Sequence, residues 1–485
     1  MRTLAMLGAL SAPWVLVFAC ADADPPPVVE LDAGDAASPD RVAPKLTVRD
    51  AGNDANDDWG KVADRPTAPL VSLDLGEVAA GATVPFDVPA NALGFNVSIR
   101  AKSSDRGLSV SDVVSPDGGA ILSGAVLFNG DHPTSRTFYG DVAAASVPGS
   151  NHPASMPRMA AGTWSVAFTG SGRGSVRIQS TPDGAFHGGF VDMHVYLPSG
   201  LVLDDETVEA GNYAAIKGAR ERVDAFGEAM RDLYGLERGN VAFHLVDASF
   251  LSVPDTRLAS LFKLTAAKGD GQALHIFIVE PSSKQGWWGI SGGIPGAATM
   301  TGTSQSAIAL ATLGGPDIEG LVLAHEMGHF FGLSHTSEIG GKGYDPLEDT
   351  PRCSDLTATK MDQCPDLRNV MFAVGALRDV TTSPLQRRVV QGSPIYRAFL
   401  SGEAPRPKAA RAGDVGALFG HPGVPLAGSE LVVLSSLCGH PDHEAAVAHL
   451  ARATPRIDLE RVAAAPGAHR VVRDRARSLA ALSLP

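Results

Sequence analysis

The sequence predicts a multidomain chain: an N-terminal β-sandwich, an α+β domain with a mixed sheet and one active-site helix, and a small α-helical C-terminal appendage. Three observations predict it. Short runs of alternating apolar and polar residues fill positions 69 to 184, with Gly, Pro, Asn and Asp between them. From about 190 onward, apolar strand-like runs are interleaved with helical spacing. Beyond 401 the composition turns to Ala, Leu and Arg at helical spacing. A length of 485 residues suits two or three domains, each able to bury its own core.

The first twenty residues read as an address. Arg2 is followed by an apolar run from Leu4 to Ala19, short for a membrane span. Val17-Phe18-Ala19-Cys20 resembles a bacterial lipobox, whose cysteine is lipidated and becomes the new N-terminus. Phe18 is bulky for that motif, and ordinary secretory cleavage is the alternative. Both readings export the chain, to the cell envelope as a lipoprotein of the outer membrane or cell surface, or as a secreted protein. The membrane is then touched only through the lipid at Cys20.

Positions 21 to 68 read as a disordered tether. Between Ala21 and Pro66 there are eleven acidic and five basic residues, a net −6, with Pro25-Pro26-Pro27 near the start. Such a segment buries too little apolar surface to fold alone. An inhibitory propeptide within it is the alternative. A whole-chain charge of −13 argues against nucleic acid as a partner.

In the region 69–184, Val84–Val88, Phe95–Ile99 and Trp164–Phe168 alternate apolar and polar residues. Several short strands with turn signals suggest a β-sandwich. Ala161-Gly162-Thr163-Trp164-Ser165-Val166 resembles the closing strand of jelly-roll modules that accompany secreted bacterial proteases. No catalytic constellation stands out here, so an accessory domain is expected.

The second domain, 190–400, opens with Val191–Leu197 as a strand and Tyr213–Tyr234 as an amphipathic helix. Val241–Val246 and Leu274–Val279 are further strands. His194, His244 and His275 lie on these strands and read as packed or hydrogen-bonded residues. Gly296–Thr312 reads as a candidate edge strand able to receive an extended peptide, or as an ordinary loop and strand. Pro316-Asp317 then starts a helix, with Asp317 and Glu319 complementing its positive end.

That helix carries His325-Glu326-Met327-Gly328-His329-Phe330-Phe331-Gly332-Leu333-Ser334-His335, an HExxHxxGxxH string. Four residues apart on one helical face, His325 and His329 reach one ion. Gly332 can take a left-handed turn that returns the chain, so that His335 arrives as a third ligand. Three protein ligands leave a coordination position for water, as in catalytic zinc sites. Glu326 stands beside the first ligand, where it can take that water's proton. Downstream, Cys353 and Cys364 are expected to form a disulfide closing a short loop in an oxidising compartment. Cys438 is left over, in a stretch that reads as a surface loop.

Together these residues resemble the metzincin zinc endopeptidases, and among them the pappalysin-like group. The string is continued by Thr336, then Asp349-Thr350-Pro351 and Cys353. Cys364 precedes Asn369-Val370-Met371, which looks like that family's Met-turn, and Pro384-Leu385-Gln386-Arg387-Arg388 looks like the start of its terminal helix. The resemblance covers about 190 to 400. It implies an upper mixed sheet with helices, a lower irregular part and a cleft between them. It also implies an apolar floor under the metal from Met371, and calcium whose ligands it does not name. One departure stands out: where the family often carries a tyrosine, this chain has Ala373.

The function expected is therefore a zinc-dependent endopeptidase acting on protein or peptide, with Glu326 as general base and acid. The rival is a catalytically weak surface zinc protein that binds peptides or glycans. A second rival takes Glu338 or Glu348 as third ligand instead of His335. Pro405-Arg406-Pro407 is expected to begin a linker to the helical region that ends at 485.

Overall fold

The computed structural model describes residues 49–50, 65–102, 108–122, 141–253, 255–280, 288–312, 315–337, 344–353, 364–372 and 379–410. The leader with Cys20, most of the tether, Glu338, Ala373, Cys438 and the helical C-terminal region lie outside the described residues. The described part is a mixed α and β structure with several sheets and few helices.

A two-residue strand β1 (Arg49–Asp50) comes first. Next are β2 (Val71–Val78), β3 (Thr83–Val88), β4 (Ala92–Ala101), β5 (Val110–Val114), β6 (Ala120–Leu122), β7 (Val142–Val147), β8 (Gly162–Phe168) and β9 (Gly172–Ser180). They form two antiparallel four-stranded sheets, in the orders β2-β9-β4-β7 and β3-β8-β5-β6. The alternation seen in the sequence is a burial pattern. In β3, Phe86 and Val88 are buried while Thr83, Pro85 and Asp87 are exposed. Residues from both sheets share one apolar cluster. At its centre the Phe95 ring meets Phe86 at 5.3 Å and Trp164 at 5.1 Å, both edge-on.

The second unit is one seven-stranded mixed sheet. Its strands are β1, β10 (Gly189–Pro198), β13 (Glu237–Val246), β14 (Leu274–Val279), β15 (Gly289–Ser291), β16 (Ile308–Ala311) and β17 (Arg397–Ala398). A hairpin of β11 (Val202–Leu203) and β12 (Glu206–Thr207) follows β10. β10 runs parallel to β13 and β14, and β14 parallel to β16. The helices are α1 (Lys217–Tyr234), α2 (Asp255–Phe262), α3 (Pro316–Phe331) and α4 (Pro384–Gln391). Val223, Phe226 and Met230 of α1, Leu323 and Met327 of α3, and Ile276 and Ile278 of β14 join one core. Arg222 of α1 reaches Glu319 on the first turn of α3, both almost wholly buried, and Asp204 at 2.8 Å.

Two expectations need correction. The helix expected from Tyr213 begins at Lys217, because residues 210–215 form turns and Ile216 is the N-cap. Within Gly296–Thr312, the strand β16 is not the sheet edge: β15 pairs beyond it, with Gly289 opposite Leu310 and Ser291 opposite Ile308. Three residues are too few to show a periodicity, and strand order is a tertiary property. Residues 401–410 also return to the body, with Lys408 N–H donating to the Asp232 carbonyl and Ala410 N–H to that of Val380.

The two units are joined by a polar seam. Arg388 of α4 donates to the carbonyls of Leu93 (2.5 Å) and Pro157 (3.0 Å). Gln179 donates to the Tyr396 carbonyl at 2.9 Å, and Asp141 accepts from the backbone and hydroxyl of Ser304. Asn96 and Ser98, on the polar face of β4, are also buried, bonded to Ser146 and Ser175 of the neighbouring strands.

Candidate metal centre

The site is built on α3. Pro316 stands in the first turn, and Glu319 accepts from the Gly315 N–H at 2.9 Å. The helix ends at Gly332, whose φ of 113° is left-handed and would strain a side-chain-bearing residue. The turn brings His335 back beside the helix. Ring centroids lie 4.6 Å apart for His325 and His329, 4.7 Å for His329 and His335, and 5.3 Å for His325 and His335. The three ligand atoms all lie within 4.8 Å of one another.

The arrangement fits a divalent metal on the chemistry of the donors. Nδ1 of His325 donates to the Val370 carbonyl at 2.5 Å, and Nδ1 of His329 to the Leu333 carbonyl at 2.7 Å. A carbonyl only accepts, so each ring carries its proton on Nδ1 and turns an unprotonated Nε2 elsewhere. Nε2 of His329 and Nε2 of His335 are 3.1 Å apart. Two nitrogens held tetrahedrally at about 2.05 Å from zinc stand about 3.3 Å apart. Burial, then the nearness of His335, brings His325 down to about 3, and burial holds His329 well below the usual imidazole range. Both rings are thus in the neutral form that binds metal.

Glu326 is 1% exposed, and its Oε1 has no hydrogen-bond partner. Burial pushes its carboxyl well above the usual carboxylate range, opposed by a hydrogen bond from the Ser291 backbone. A Cβ on Gly289 would come within 2.7 Å of that Oε1, so the backbone of edge strand β15 lies against the carboxylate. Nothing in the sequence marked Gly289 or Ser291, because their nearness to Glu326 depends on sheet order.

Met371 is fully buried directly against α3: a Cβ on Gly328 would collide with its sulfur. Its N–H donates to Asn369 Oδ1 at 2.9 Å, and its carbonyl accepts from Thr336 N–H at 3.0 Å. Residues 369–371 therefore hold the His325 ring and underlie the helix at once. Cys353 and Cys364 are joined in a disulfide. Two residues on, buried Asp366 accepts from the hydroxyls of Thr336 and Ser337, each at 2.7 Å. These two residues directly follow the His335 ligand position. Asp366 was not singled out by sequence, where it is one acid among 53 Asp and Glu.

Glu348 is exposed and is not in the histidine cluster. For calcium, among the described residues no three carboxylates gather in one group. Asp345 and Asp366 are buried carboxylates with one oxygen unpartnered.

No known family model matches this chain, and no curated protein does. A crystal structure of the YxiM protein from Bacillus subtilis is 9% identical with a TM-score of 0.13, covering 42% of this chain and 52% of that one. This chain thus spans about half of that protein, and the likeness is too low to carry an argument.

Proposed function

We propose that this chain is a zinc-dependent endopeptidase of the metzincin kind, exported and held at the cell envelope by lipid at Cys20. The observation that carries the reading is the convergence of His325, His329 and His335, with Glu326 next to the first of them in the chain and its Oε1 without a hydrogen-bond partner. The two antiparallel sheets with a shared core are then the accessory β-sandwich, and Met371 the apolar floor. Calcium, if taken up, has Asp345 and Asp366 as its nearest candidates by their open oxygens.

The three imidazoles would hold the zinc, which supplies Lewis acidity toward a peptide carbonyl and toward water. Glu326 takes the proton of the attacking water as the new C–O bond forms, and passes it to the amide nitrogen as the C–N bond breaks. An environment that raises its carboxyl affinity for protons suits both steps. Edge strand β15, against Glu326, is the element beside which an extended substrate backbone would pair.

One observation favours the second reading, a catalytically weak zinc protein: all four site residues are only 1–2% exposed. A peptide reaches them only if what covers them moves. A single experiment separates the readings. The purified chain and its Glu326→Gln variant are loaded with zinc, assayed for metal content and incubated with a diverse peptide library. Endopeptidase activity predicts cleavage that falls by about 10²–10⁴-fold in the variant, with zinc content unchanged. Zinc binding without cleavage by the wild type establishes the second reading. Cleavage that survives in the variant removes Glu326 from the chemistry.

A further inference from the structure

A second cluster of ionisable groups lies on the mixed sheet, outside the metal centre. His244 of β13, His194 of β10 and His275 of β14 stack side by side across three neighbouring strands. Ring centroids are 5.0 Å apart in both pairs, with interplanar angles of 25° and 11°. His194 Nδ1 and His244 Nε2 share a hydrogen bond of 2.8 Å, and Tyr196 hydroxyl and His275 Nδ1 one of 2.9 Å. A cavity of about 160 Å³ opens beside the ladder, lined by His194, His275, Lys268, Arg397, Asp192 and Asp270 among others.

The chemistry of this wall favours an anion over a cation. Asp192 is already engaged by Arg397 at 3.0 Å and by the Asn240 backbone and amide N–H groups. Asp270 accepts from the backbone and hydroxyl of Thr301 and faces Arg100 of β4 at 3.5 Å. The ladder is also no chelate, since its ring nitrogens do not gather as those of 325, 329 and 335 do. The ammonium of Lys268 acts on His275. Burial holds His275 well below the usual imidazole range, followed by the charges of His194, His244 and Lys268. An anion in the cavity would relieve that repulsion and make protonation of the ladder favourable. By linkage, protonation then tightens the anion.

We propose that this cavity binds a small oxyanion of the sulfate or phosphate class, together with a proton taken up by the histidine ladder. The site is independent of the proposed peptidase activity. Sulfate is the probe, because its charge is constant between about pH 5.5 and 8, the range spanning imidazole titration. Calorimetric titration of the full chain is expected to show sulfate bound about tenfold or more tightly at the lower pH. Lys268→Met should weaken binding at both pH values, whereas sulfate bound at the metal centre would be indifferent to it. His244→Gln, which alters the ladder without lining the cavity, should shrink the ratio between the two pH values while leaving the dependence on Lys268. Equal affinity at both pH values, wild-type binding by Lys268→Met, or no binding at all would overturn the proposal.

Discussion

Asp366 fixes the chain just beyond His335 without joining the histidine cluster. It receives the hydroxyls of Thr336 and Ser337, the residues that follow His335. Groups bonded directly to a metal ligand typically contribute about 10- to 100-fold in metal affinity, and Asp366 holds the two residues that position His335 from behind. Asp366→Ala is therefore expected to weaken zinc binding by about 10–100-fold, read by competition with a chromophoric chelator. Unchanged affinity would make Asp366 a bystander. His275 carries a prediction in pH. Its folded pKa is depressed well below 6.5, so between those values the unfolded chain binds a proton that the folded chain refuses. Its contribution is thus fully present above about pH 6.5 and is lost as pH falls below it. His325 and His329 act in the same direction in the metal-free protein. Urea unfolding of the metal-free chain should show stability falling below neutrality, and His275→Phe should make that acid limb shallower. A limb unaltered by the substitution would assign the whole effect to the metal ligands.

At the level of elements, the two helices that frame the site are held by different devices. α3 relies on the buried Glu319 and on the left-handed Gly332. α4 has a capping box: the Ser383 hydroxyl accepts from Gln386 N–H at 3.1 Å, and Gln386 Oε1 accepts from Ser383 N–H at 2.9 Å. Gln386 also exchanges two hydrogen bonds with Asn369, whose Oδ1 holds Met371 N–H. The cap therefore reaches Met371, packed against α3, through one amide pair. Ser383→Ala should lower stability by about 1 kcal/mol in denaturant titration. The coupling also predicts a weaker hold on zinc than the same loss of stability elsewhere in the protein would give. Equal zinc affinity in the variant would confine the cap to its own helix.

Across the whole molecule, the seam decides how the two units behave. Arg388, the Gln179–Tyr396 bond and the Asp141–Ser304 contact join separate apolar cores. The two units are expected to unfold together in one calorimetric transition. Arg388→Met strips two backbone carbonyls of a charged donor, a loss of about 2–3 kcal/mol at the seam. The variant should show two resolved transitions, or an earlier first one. A single transition at the wild-type temperature would show that the seam contributes little.

The HExxHxxGxxH string, the glycine that turns the chain to His335, the strand runs 84–88, 95–99, 164–168 and 274–279, and the cysteine pair were all legible in the sequence. Each is local: helical spacing, period-two alternation, an unbroken apolar run or a short loop marks it before the chain is folded. Edge strand β15 against Glu326, the Asp366 contact behind His335, the histidine ladder and the polar seam were decided by tertiary structure. Each joins positions tens to hundreds of residues apart, and local spacing holds no record of which strands become neighbours.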